Sequence, residues 1–506
     1  MQRSPSRSHF RPFPQALDRV AIALIVLLAI AIGLLMWGGS HTTPRVRDFT
    51  WQGKQVGADD TAFVMSFNRP MDQSSVEQNL RIQPPLPGKV SWAGRRMAYT
   101  LTLPAPYGTG FQVKLENALD YFSKEGINQV PIQPFTGQFQ TRDRAFAYIG
   151  VQGDEQGRLI LYNLTKQERY PLTPSNLVVN DFKPYSLGDR ILFSATERTA
   201  QPQGILAQKL YRVSTGIRIQ APFQLGAQSE SQPLVAQSNQ PSGTLELILD
   251  SDTYQNLKFD LSTDGRIIVV QRVNPNDPAD FGPWILREGE QPQPLKGQPG
   301  GDFLITPDSD SLAIAQGMGL AILPLQPDAK PLDFLPKFGI VLNFSRDGQL
   351  AAMVKFNGDR TRSLFLVSNQ GTQKELIRTS GSIFSAQFDP TKQVLYGLLS
   401  ELIPGETYQE KPFLAAIDLK TAKMTSLVSL QNQPDAQVSL SPDGLAVLYD
   451  QTVETKQDDP SAVRNRGGRA IADSRLWLLP VNAADLSSHV QPEPLPLAGL
   501  RPRWLP

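Results

Sequence analysis

The sequence contains no cysteine and only three histidines, His9, His41 and His489. The absence of cysteine excludes disulfides, thiol nucleophiles, zinc–thiolate sites and attachment of a lipid to a cysteine. A histidine metal cluster needs several ligands close together, whereas two of the histidines flank an apolar segment outside any predicted domain. The sequence therefore indicates no metal and no cofactor. A Ser-His-Asp hydrolase is set aside because no Gly-x-Ser-x-Gly motif precedes a predicted helix.

A surplus of charge of either sign is also missing, because 49 Lys and Arg face 48 Asp and Glu. Without a net positive field the chain has no electrostatic attraction for nucleic acid, and we expect no nucleic-acid partner. The 42 prolines and 38 glycines separate short apolar runs, which is typical of brief strands joined by turns. A chain of 506 residues is long enough for two or three domains.

One long apolar run stands near the N-terminus, at residues 20–37, and carries no charge. As a helix it spans about 27 Å, close to the hydrocarbon thickness of a bilayer. The run is longer than the apolar core of a usual signal peptide and no A-x-A-like site follows it, which favours an uncleaved transmembrane anchor. A cleaved signal peptide, cut after Ser40, is the alternative.

Charges and aromatic residues beside this run set the predicted topology. Residues 1–19 form a short basic tail expected in the cytoplasm, and residues 38–44 form a linker. Trp37 suits the outer interface of the membrane, and a chain without cysteine tolerates an oxidising compartment. We therefore expect a single-pass protein of the plasma or inner membrane with most of its chain in the periplasm or outside the cell.

Residues 45–141 predict a β-sandwich with an Ig-like fold, because seven short strand segments alternate with Gly and Pro turns. Between the second and third strands lies FNRPMDQSSVEQNLRI, residues 67–82, in which one helical turn is expected. Its predicted core contacts are Phe67, Met71, Val76 and Leu80, and the crossover is shaped by Pro70, Asp72 and Ser74. This stretch resembles the bacterial SbsA-type Ig-like domain, and the resemblance implies a spacer or adhesion module without catalytic residues.

Residues 142–506 predict a β-propeller, because one pattern of turn and apolar strands recurs every 40 to 50 residues. Aligned copies of the turn are LSTDG, ITPDS, FSRDG, FDPTK and LSPDG, which begin at residues 261, 305, 344, 388 and 440. Proline, aspartate and glycine favour such a turn, so we interpret the motif as a folding signal before considering it as a binding or catalytic site.

Seven blades are expected, with eight as the alternative because the third segment is long. The predicted segments are 142–173, 181–225, 232–295, 302–335, 339–379, 382–430 and 436–495. The first segment lacks an opening strand, whereas residues 498–506 look like an opening strand without a blade. We expect these two parts to pair and close the ring, which removes an exposed sheet edge.

The stretch LSPDGLAVLYD, residues 440–450, with RLWLLPVNAADL, residues 475–486, resembles the TolB-like, WD-repeat-like periplasmic propellers. That family binds envelope partners, and its fold is shared with some peptidases and lyases. The resemblance therefore implies the fold more strongly than a function.

Carboxylates are the one remaining class of catalytic side chain, since two of them from different blades could act on a glycan. The candidates are Asp250, Asp252, Asp277, Asp280, Asp308 and Asp310, all in turn-like sequences. Asn276 with Asp277 and Asp280 could bind calcium, but the spacing is not that of an EF-hand and favours a rigid loop. We interpret all of these as turn residues.

Two polar insertions, residues 400–412 and 453–474, are the predicted partner-contact loops if the propeller binds a partner. The residues singled out in them are Glu401, Tyr408, Arg464, Arg466 and Arg469. The sequence favours a membrane-anchored binding or scaffold protein for a cell-envelope protein or polymer, rather than an enzyme. An enzyme that processes envelope glycans or peptides is the alternative, and adhesion through the sandwich is a third.

Overall fold

The computed structural model shows an all-β chain that follows one N-terminal helix. It describes residues 16–40, 43–121, 130–198, 206–217, 240–295, 300–317, 319–326, 332–405, 408–430, 433, 435–455, 463–464, 469–486 and 490–506.

Helix α1 (Ala16–Ser40) contains the apolar run, and its described side chains are exposed from residue 19 to residue 34. Within the part of the chain whose placement is described, no helix combines the length and hydropathy that a bilayer crossing requires. The side chains of residues 35–37 lie outside that part, so the membrane span at 20–37 stays a prediction.

The first folded unit is a sandwich of two four-stranded sheets. The order of one sheet is β1 (Val46–Phe49), β3 (Ala62–Phe67), β6 (Arg96–Leu101) and β5 (Gly88–Ala93). The order of the other is β2 (Gln55–Val56), β8 (Phe135–Thr141), β7 (Gly110–Leu115) and β4 (Leu80–Gln83). Residues of both sheets share one apolar core, in which Phe63, Met65 and Val113 have no exposed surface.

The crossover at residues 67–82 forms as the sequence predicts. Helix α2 (Gln73–Asn79) begins after Asp72, whose carboxylate accepts hydrogen bonds from the backbone N–H groups of Ser74 and Ser75. Val76, Met71 and Phe67 are buried in the sandwich core, and Leu80 packs at its edge. This polar stretch is therefore an element of the fold, because its carboxylate caps a helix and its apolar side chains fill the core.

The described residues from 145 onward form seven four-stranded antiparallel sheets, numbered here from first to seventh. The first has β36 (Gly499–Trp504), β9 (Ala145–Gly150), β10 (Leu159–Asn163) and β11 (Glu168–Pro171), and the second has β12 (Leu177–Pro184), β13 (Arg190–Glu197), β14 (Lys209–Ser214) and β15 (Leu245–Leu249). The third has β16 (Gln255–Leu261), β17 (Ile267–Asn274), β18 (Asp277–Arg287) and β19 (Gln293–Pro294), and the fourth has β20 (Phe303–Ile305), β21 (Ser311–Gln316), β22 (Gly319–Pro324) and β23 (Asp333–Leu335).

The remaining three sheets repeat this order from the innermost strand outward. The fifth has β24 (Ile340–Phe344), β25 (Leu350–Phe356), β26 (Arg362–Ser368) and β27 (Gln373–Thr379), and the sixth has β28 (Ile383–Phe388), β29 (Val394–Leu402), β30 (Glu410–Asp418) and β31 (Met424–Ser429). The seventh has β32 (Val438–Leu440), β33 (Ala446–Glu454), β34 (Ile471–Pro480) and β35 (Glu493–Pro494).

One strand lies in a different sheet from the one expected. The sequence predicts segment 232–295 to be a single long third blade, but β15, in the first part of that segment, pairs with β14 and is the outer strand of the second sheet. Residues 218–239, between β14 and β15, lie outside the described part, so the choice between seven and eight blades stays a prediction.

The innermost strands stand side by side around a central channel, and β36 fills the position between β32 and β12. β36 pairs with β9, so strands from the start and the end of this region share the first sheet. Trp504 of β36 is buried and packs edge-on against Phe146 of β9, with ring centroids 5.5 Å apart. The first sheet thereby gains the inner strand that its own N-terminal segment lacks.

Five repeated turns join the innermost strand of a sheet to its second strand. In the fifth sheet the Ser345 hydroxyl donates to Asp347 at 2.7 Å, which shapes the turn locally. The fifth residue of each copy has a positive φ: Gly265 (73°), Ser309 (66°), Gly348 (69°), Lys392 (58°) and Gly444 (74°). The turn geometry is thus kept even where the sequence departs from Asp-Gly.

The sandwich contacts the propeller at these turns. The Tyr107 backbone N–H donates to the Asp443 carboxylate at 3.0 Å, and Arg346 forms a 2.7 Å ion pair with Asp59. Arg142, which is buried, donates to the Pro506 carbonyl at 2.9 Å. Gly57 leaves room for this arginine, since a Cβ there would lie 2.7 Å from the Arg142 Nε.

Ring closure by β36 is testable through Trp504. We expect Trp504→Ala to lower the free energy of unfolding by about 3–5 kcal/mol, because it opens a cavity between the first and last strands of the ring. Deletion of residues 498–506 should lower the melting temperature by many degrees. Tyr170→Ala, on the exposed outer strand of the same sheet, is the control and should have little effect. An unchanged melting temperature after the deletion would contradict closure by β36.

A candidate binding channel at the centre of the propeller

The channel contains a cavity of about 530 Å³ lined by residues on or beside the innermost strands. A second cavity of about 550 Å³ adjoins it and reaches the repeated turns. Lys183, Asp260, Asn343 and Gln387 line both cavities, so the two form one passage along the propeller axis. Its wall contains both polar and apolar side chains. Side chains at alternate positions of an inner strand point to the same side, which brings several of the polar ones to the channel.

One side of the channel, formed by the first to fourth sheets, carries paired charges. Arg503 and Arg501 both lie beside the Asp181 carboxylate, at 2.9 and 3.6 Å. Lys183 pairs with Asp260, and Lys258 pairs with Asp302. The charged side chains that line this side are three cations, Lys183, Lys258 and Arg503, and three anions, Asp181, Asp260 and Asp302. Each of these carboxylates is paired with a cation.

Several channel side chains also join neighbouring sheets through backbone groups. Asp260 accepts a hydrogen bond from the Ile305 N–H at 2.8 Å. The Gln387 amide accepts from Leu440 N–H at 2.7 Å and donates to the Val438 carbonyl at 2.8 Å. These contacts satisfy backbone groups at the free edge of an inner strand, which would otherwise be buried without partners.

The other side of the channel is formed by the fifth to seventh sheets and presents three polar side chains that are not hydrogen-bonded to any described residue. Within the described part of the chain, the side chains of Asn343, Ser385 and Asp435 form no hydrogen bond and no direct ion pair, and the Asp435 carboxylate has only a longer-range electrostatic interaction with Arg469. Asn343 lies on β24, Ser385 lies on β28 and Asp435 lies just before β32, and all three line the same cavity. Together they offer an amide, a hydroxyl and a carboxylate to a molecule that enters the channel, and we name them the open polar side.

Asp450 connects two segments that border the channel. Its fully buried carboxylate accepts hydrogen bonds from the backbone N–H groups of Gln437 at 2.6 Å and Arg501 at 2.7 Å. Asp450 therefore links the segment just before β32 to strand β36. Arg501, which donates one of these bonds, has a positive φ of 52°. Burial raises the pKa of Asp450 to about 6, although both N–H donors and the Arg501 guanidinium favour the carboxylate.

The six aspartates singled out from the sequence shape turns and loops rather than the channel. Asp308 accepts from the Thr306 hydroxyl at 2.6 Å and from the Asp310 N–H at 3.0 Å. Asp280 accepts from the Tyr254 hydroxyl at 2.7 Å, and Asp277 accepts from the Ala279 N–H at 3.1 Å. Asp250 accepts weakly from the N–H of Asp252, at 3.4 Å. In the described chain no group of three His, Cys, Asp or Glu side chains could hold a metal.

Sequence reasoning missed the carboxylates that do line the channel. Asp181 and Asp260 lie within inner strands, and Asp302 and Asp435 lie just before them. The available signal was a pair of polar residues two positions apart before three of the repeated turns: Lys258 and Asp260, Ser385 and Gln387, and Gln437 and Ser439. That signal is weak in a single copy and becomes informative only once the strands are aligned by their turns.

The two predicted partner loops join second and third strands, so the strand ends from which they start lie on the face opposite the turns that contact the sandwich. Glu401 is exposed, and Tyr408 is 71% exposed and donates its hydroxyl to Glu410. Arg469 forms a 2.7 Å ion pair with Glu454, and Arg464 forms an isolated bridge with Ala470. Arg466 lies outside the described residues. Whether these residues contact a partner stays a prediction.

No protein-family model matches the chain, and no curated protein matches it. Solved structures similar to it include TolB-like propellers. TolB from Acinetobacter baumannii is 11% identical, with 85% of this chain and 83% of that chain covered and a TM-score of 0.40. Oligogalacturonate lyase from Vibrio parahaemolyticus is 11% identical, with 65% and 90% covered and a TM-score of 0.41. Hydrazine synthase from Kuenenia stuttgartiensis is 12% identical, with 60% and 76% covered and a TM-score of 0.37.

The raised pKa of Asp450 predicts how its contribution to stability changes with pH. The folded state binds this proton more tightly than the unfolded state does, so the stabilisation is complete below pH 3.8 and is lost as the pH rises through about 6. We expect the wild type to lose about 3 kcal/mol relative to Asp450→Asn between pH 3.5 and 7. Urea unfolding of the two proteins across this range measures the difference, and Asp48→Asn, at an exposed site, is the control. If the wild type instead gained stability relative to Asp450→Asn as the pH rises, the raised pKa of Asp450 would be contradicted.

Proposed function

We propose that the protein is a membrane-anchored, extracytoplasmic binding protein whose propeller engages a cell-envelope protein or polymer through the central channel. The observation that supports it most is the open polar side, where Asn343, Ser385 and Asp435 line a cavity of about 530 Å³ without hydrogen bonds or direct ion pairs to described residues. Polar groups in a concave site are normally satisfied by water or by a ligand.

The paired charges on the other side of the channel favour binding over catalysis. A glycosidase-like reaction needs two carboxylates, one to protonate the leaving group and one to act as base or nucleophile. Asp181, Asp260 and Asp302 are each paired with a cation, so Asp435 is the one described carboxylate lining the first cavity without a direct ion pair.

In the adjoining cavity Asp347 pairs with Lys392, and Asp389 accepts hydrogen bonds from backbone N–H groups of its own turn. An enzyme that processes envelope glycans or peptides is the alternative, and among the described residues this arrangement offers it no pair of uncommitted carboxylates.

The remaining parts of the chain have supporting roles in this proposal. The apolar run at 20–37 anchors the protein, and the sandwich, with its resemblance to SbsA-type Ig-like domains, is a spacer between membrane and propeller. The sandwich contacts the repeated turns at one end of the channel. A partner would therefore enter the channel from the opposite end. The strands that lead into the loops at 400–412 and 453–474 end on that side, and in this proposal the loops extend the contact surface.

Blocking the channel tests this proposal. We expect Asn343→Trp to abolish crosslinking of the full-length protein to its envelope partner in intact membranes, because the indole occupies the cavity beside the open polar side. Asn369→Trp, on an exposed turn of the same sheet, is the matched control and should crosslink as the wild type does. Shortened loops at 400–412 and 453–474 should weaken the same crosslink. Identical crosslinks in all variants would contradict channel binding.

Two further outcomes would favour other functions. Turnover of envelope glycans or peptides by the full-length protein, lost in Asp435→Asn, would establish the enzymatic alternative. A crosslink that survives in Asn343→Trp but maps to the sandwich would favour adhesion. A reporter fused after Pro506 that is active only in the cytoplasm would contradict the proposed orientation.

A further inference from the structure

Four exposed arginines lie at the end of the sandwich where the chain arrives from α1. Two belong to the start of the sandwich, before and within β1, and two belong to the hairpin that joins β5 to β6. They are Arg45, Arg47, Arg95 and Arg96, and we name them the basic end. In the described part of the chain none of the four forms an ion pair, whereas the neighbouring Arg69 pairs with the buried Asp120 at 3.0 Å.

Asn68 fixes the two segments that carry these arginines beside each other. Its side-chain oxygen accepts a hydrogen bond from the Arg45 N–H at 2.9 Å, and its side-chain nitrogen donates to the Thr43 carbonyl at 3.0 Å. Its backbone carbonyl accepts from the Arg95 guanidinium at 3.0 Å. The guanidinium groups of Arg45, Arg47 and Arg96 form no hydrogen bond with a described residue. The fold thus places the cluster but leaves most of its donors unused.

Positive charge is concentrated on the sheet that bears the basic end. The four strands of that sheet contain one carboxylate, Asp48 of β1. Over the described residues at this end of the sandwich, 43–48, 66–83, 92–97 and 112–121, seven arginines and lysines face five carboxylates. Two of those carboxylates have local roles, because Asp72 caps α2 and Glu77 accepts from the Trp92 indole N–H at 3.0 Å. The basic end therefore attracts anions.

The covalent chain keeps the basic end close to α1. Five residue steps lead from Ser40, where α1 ends, to Arg45, so their Cα atoms are at most about 18 Å apart. The opposite end of the sandwich contacts the propeller, through Asp59 and Tyr107, and the propeller leaves the four arginines exposed. The surface from which α1 emerges is therefore within reach of the arginines.

We propose that the basic end docks on the anionic headgroups of the membrane that holds α1, with its guanidinium groups bonded to phosphate oxygens. This proposal rests on the proposed function, because it requires the anchor at residues 20–37. Guanidinium groups match phosphate in a bidentate geometry, and each cation near an anionic bilayer strengthens binding about fivefold. Free phosphate has the same chemistry, but a bilayer presents many phosphates to a tethered cluster. Docking keeps the sandwich between membrane and propeller, with the open end of the channel directed away from the bilayer.

A single fluorescent label can report this contact, because the chain has no cysteine of its own. Ala93→Cys, at the exposed end of β5, carries the label in the full-length protein. The protein is placed in lipid nanodiscs of POPC or of POPG that contain a quencher on a lipid headgroup. We expect stronger quenching in POPG, and high salt should remove the difference.

Charge variants then identify the groups responsible. Arg47→Gln combined with Arg96→Gln should lower the docking constant in POPG about 30-fold, since two such factors are lost. Arg47→Lys combined with Arg96→Lys keeps the charge and should restore most of the docking. Arg360→Gln combined with Arg475→Gln removes two exposed arginines from the propeller and is the matched control, which should quench as the wild type does. All of these variants should keep the wild-type melting temperature.

The possible outcomes separate docking from anchoring. Equal quenching in POPC and POPG, or no difference between the Arg47→Gln, Arg96→Gln variant and its control, would overturn docking and leave the anchor intact. A protein that enters neither kind of disc would contradict the anchor, and with it the tether on which docking depends. Release from POPG by inorganic phosphate, beyond the effect of sodium chloride at equal ionic strength, would assign the arginines to free phosphate instead. Binding of soluble polyglutamate without any response to POPG would assign them to an anionic polymer, and either result would overturn docking.

Discussion

The innermost strand of each propeller sheet has one edge without a neighbouring strand, and the rest of the structure depends on how that edge is satisfied. Its N–H and C=O groups face the channel or the next sheet, where unpaired backbone groups are costly. Side chains supply the missing partners: Asp260 for Ile305, Gln387 for Val438 and Leu440, and the Ser439 hydroxyl for Trp504 at 3.1 Å. The fold itself therefore requires polar side chains in the channel, because they satisfy the backbone groups of the inner strands.

This requirement separates structural from functional polar residues. Lys183 and Arg503 pair with carboxylates that also lie on inner strands, so their charges are used between sheets. Asn343, Ser385 and Asp435 have no such task among the described residues. A sequence cannot make this distinction, since the partners of a channel side chain come from strands more than 40 residues away, as Asp260 and Ile305 illustrate.

The repeated turns were the most predictive feature of the sequence. They locate the first and second strands of five sheets, because the local chemistry of hydroxyl, carboxylate and left-handed residue is sufficient to form the turn. The capped helix at Asp72 was predictable for the same reason. The position of β15 was not, since its pairing with β14 spans the long insertion at 218–239 and no local signal assigns an outer strand to either neighbour.

The position of β36 has a consequence for synthesis of the chain. β9 is made at residues 145–150, but its inner neighbour comes from residues 499–504, so that edge has no partner until about 350 further residues have been added. During this interval the sandwich already has all of its strands by residue 141, whereas the first sheet presents an open edge. A ribosome that stalls late would therefore leave a ring of sheets with one gap, open to strand exchange with another chain.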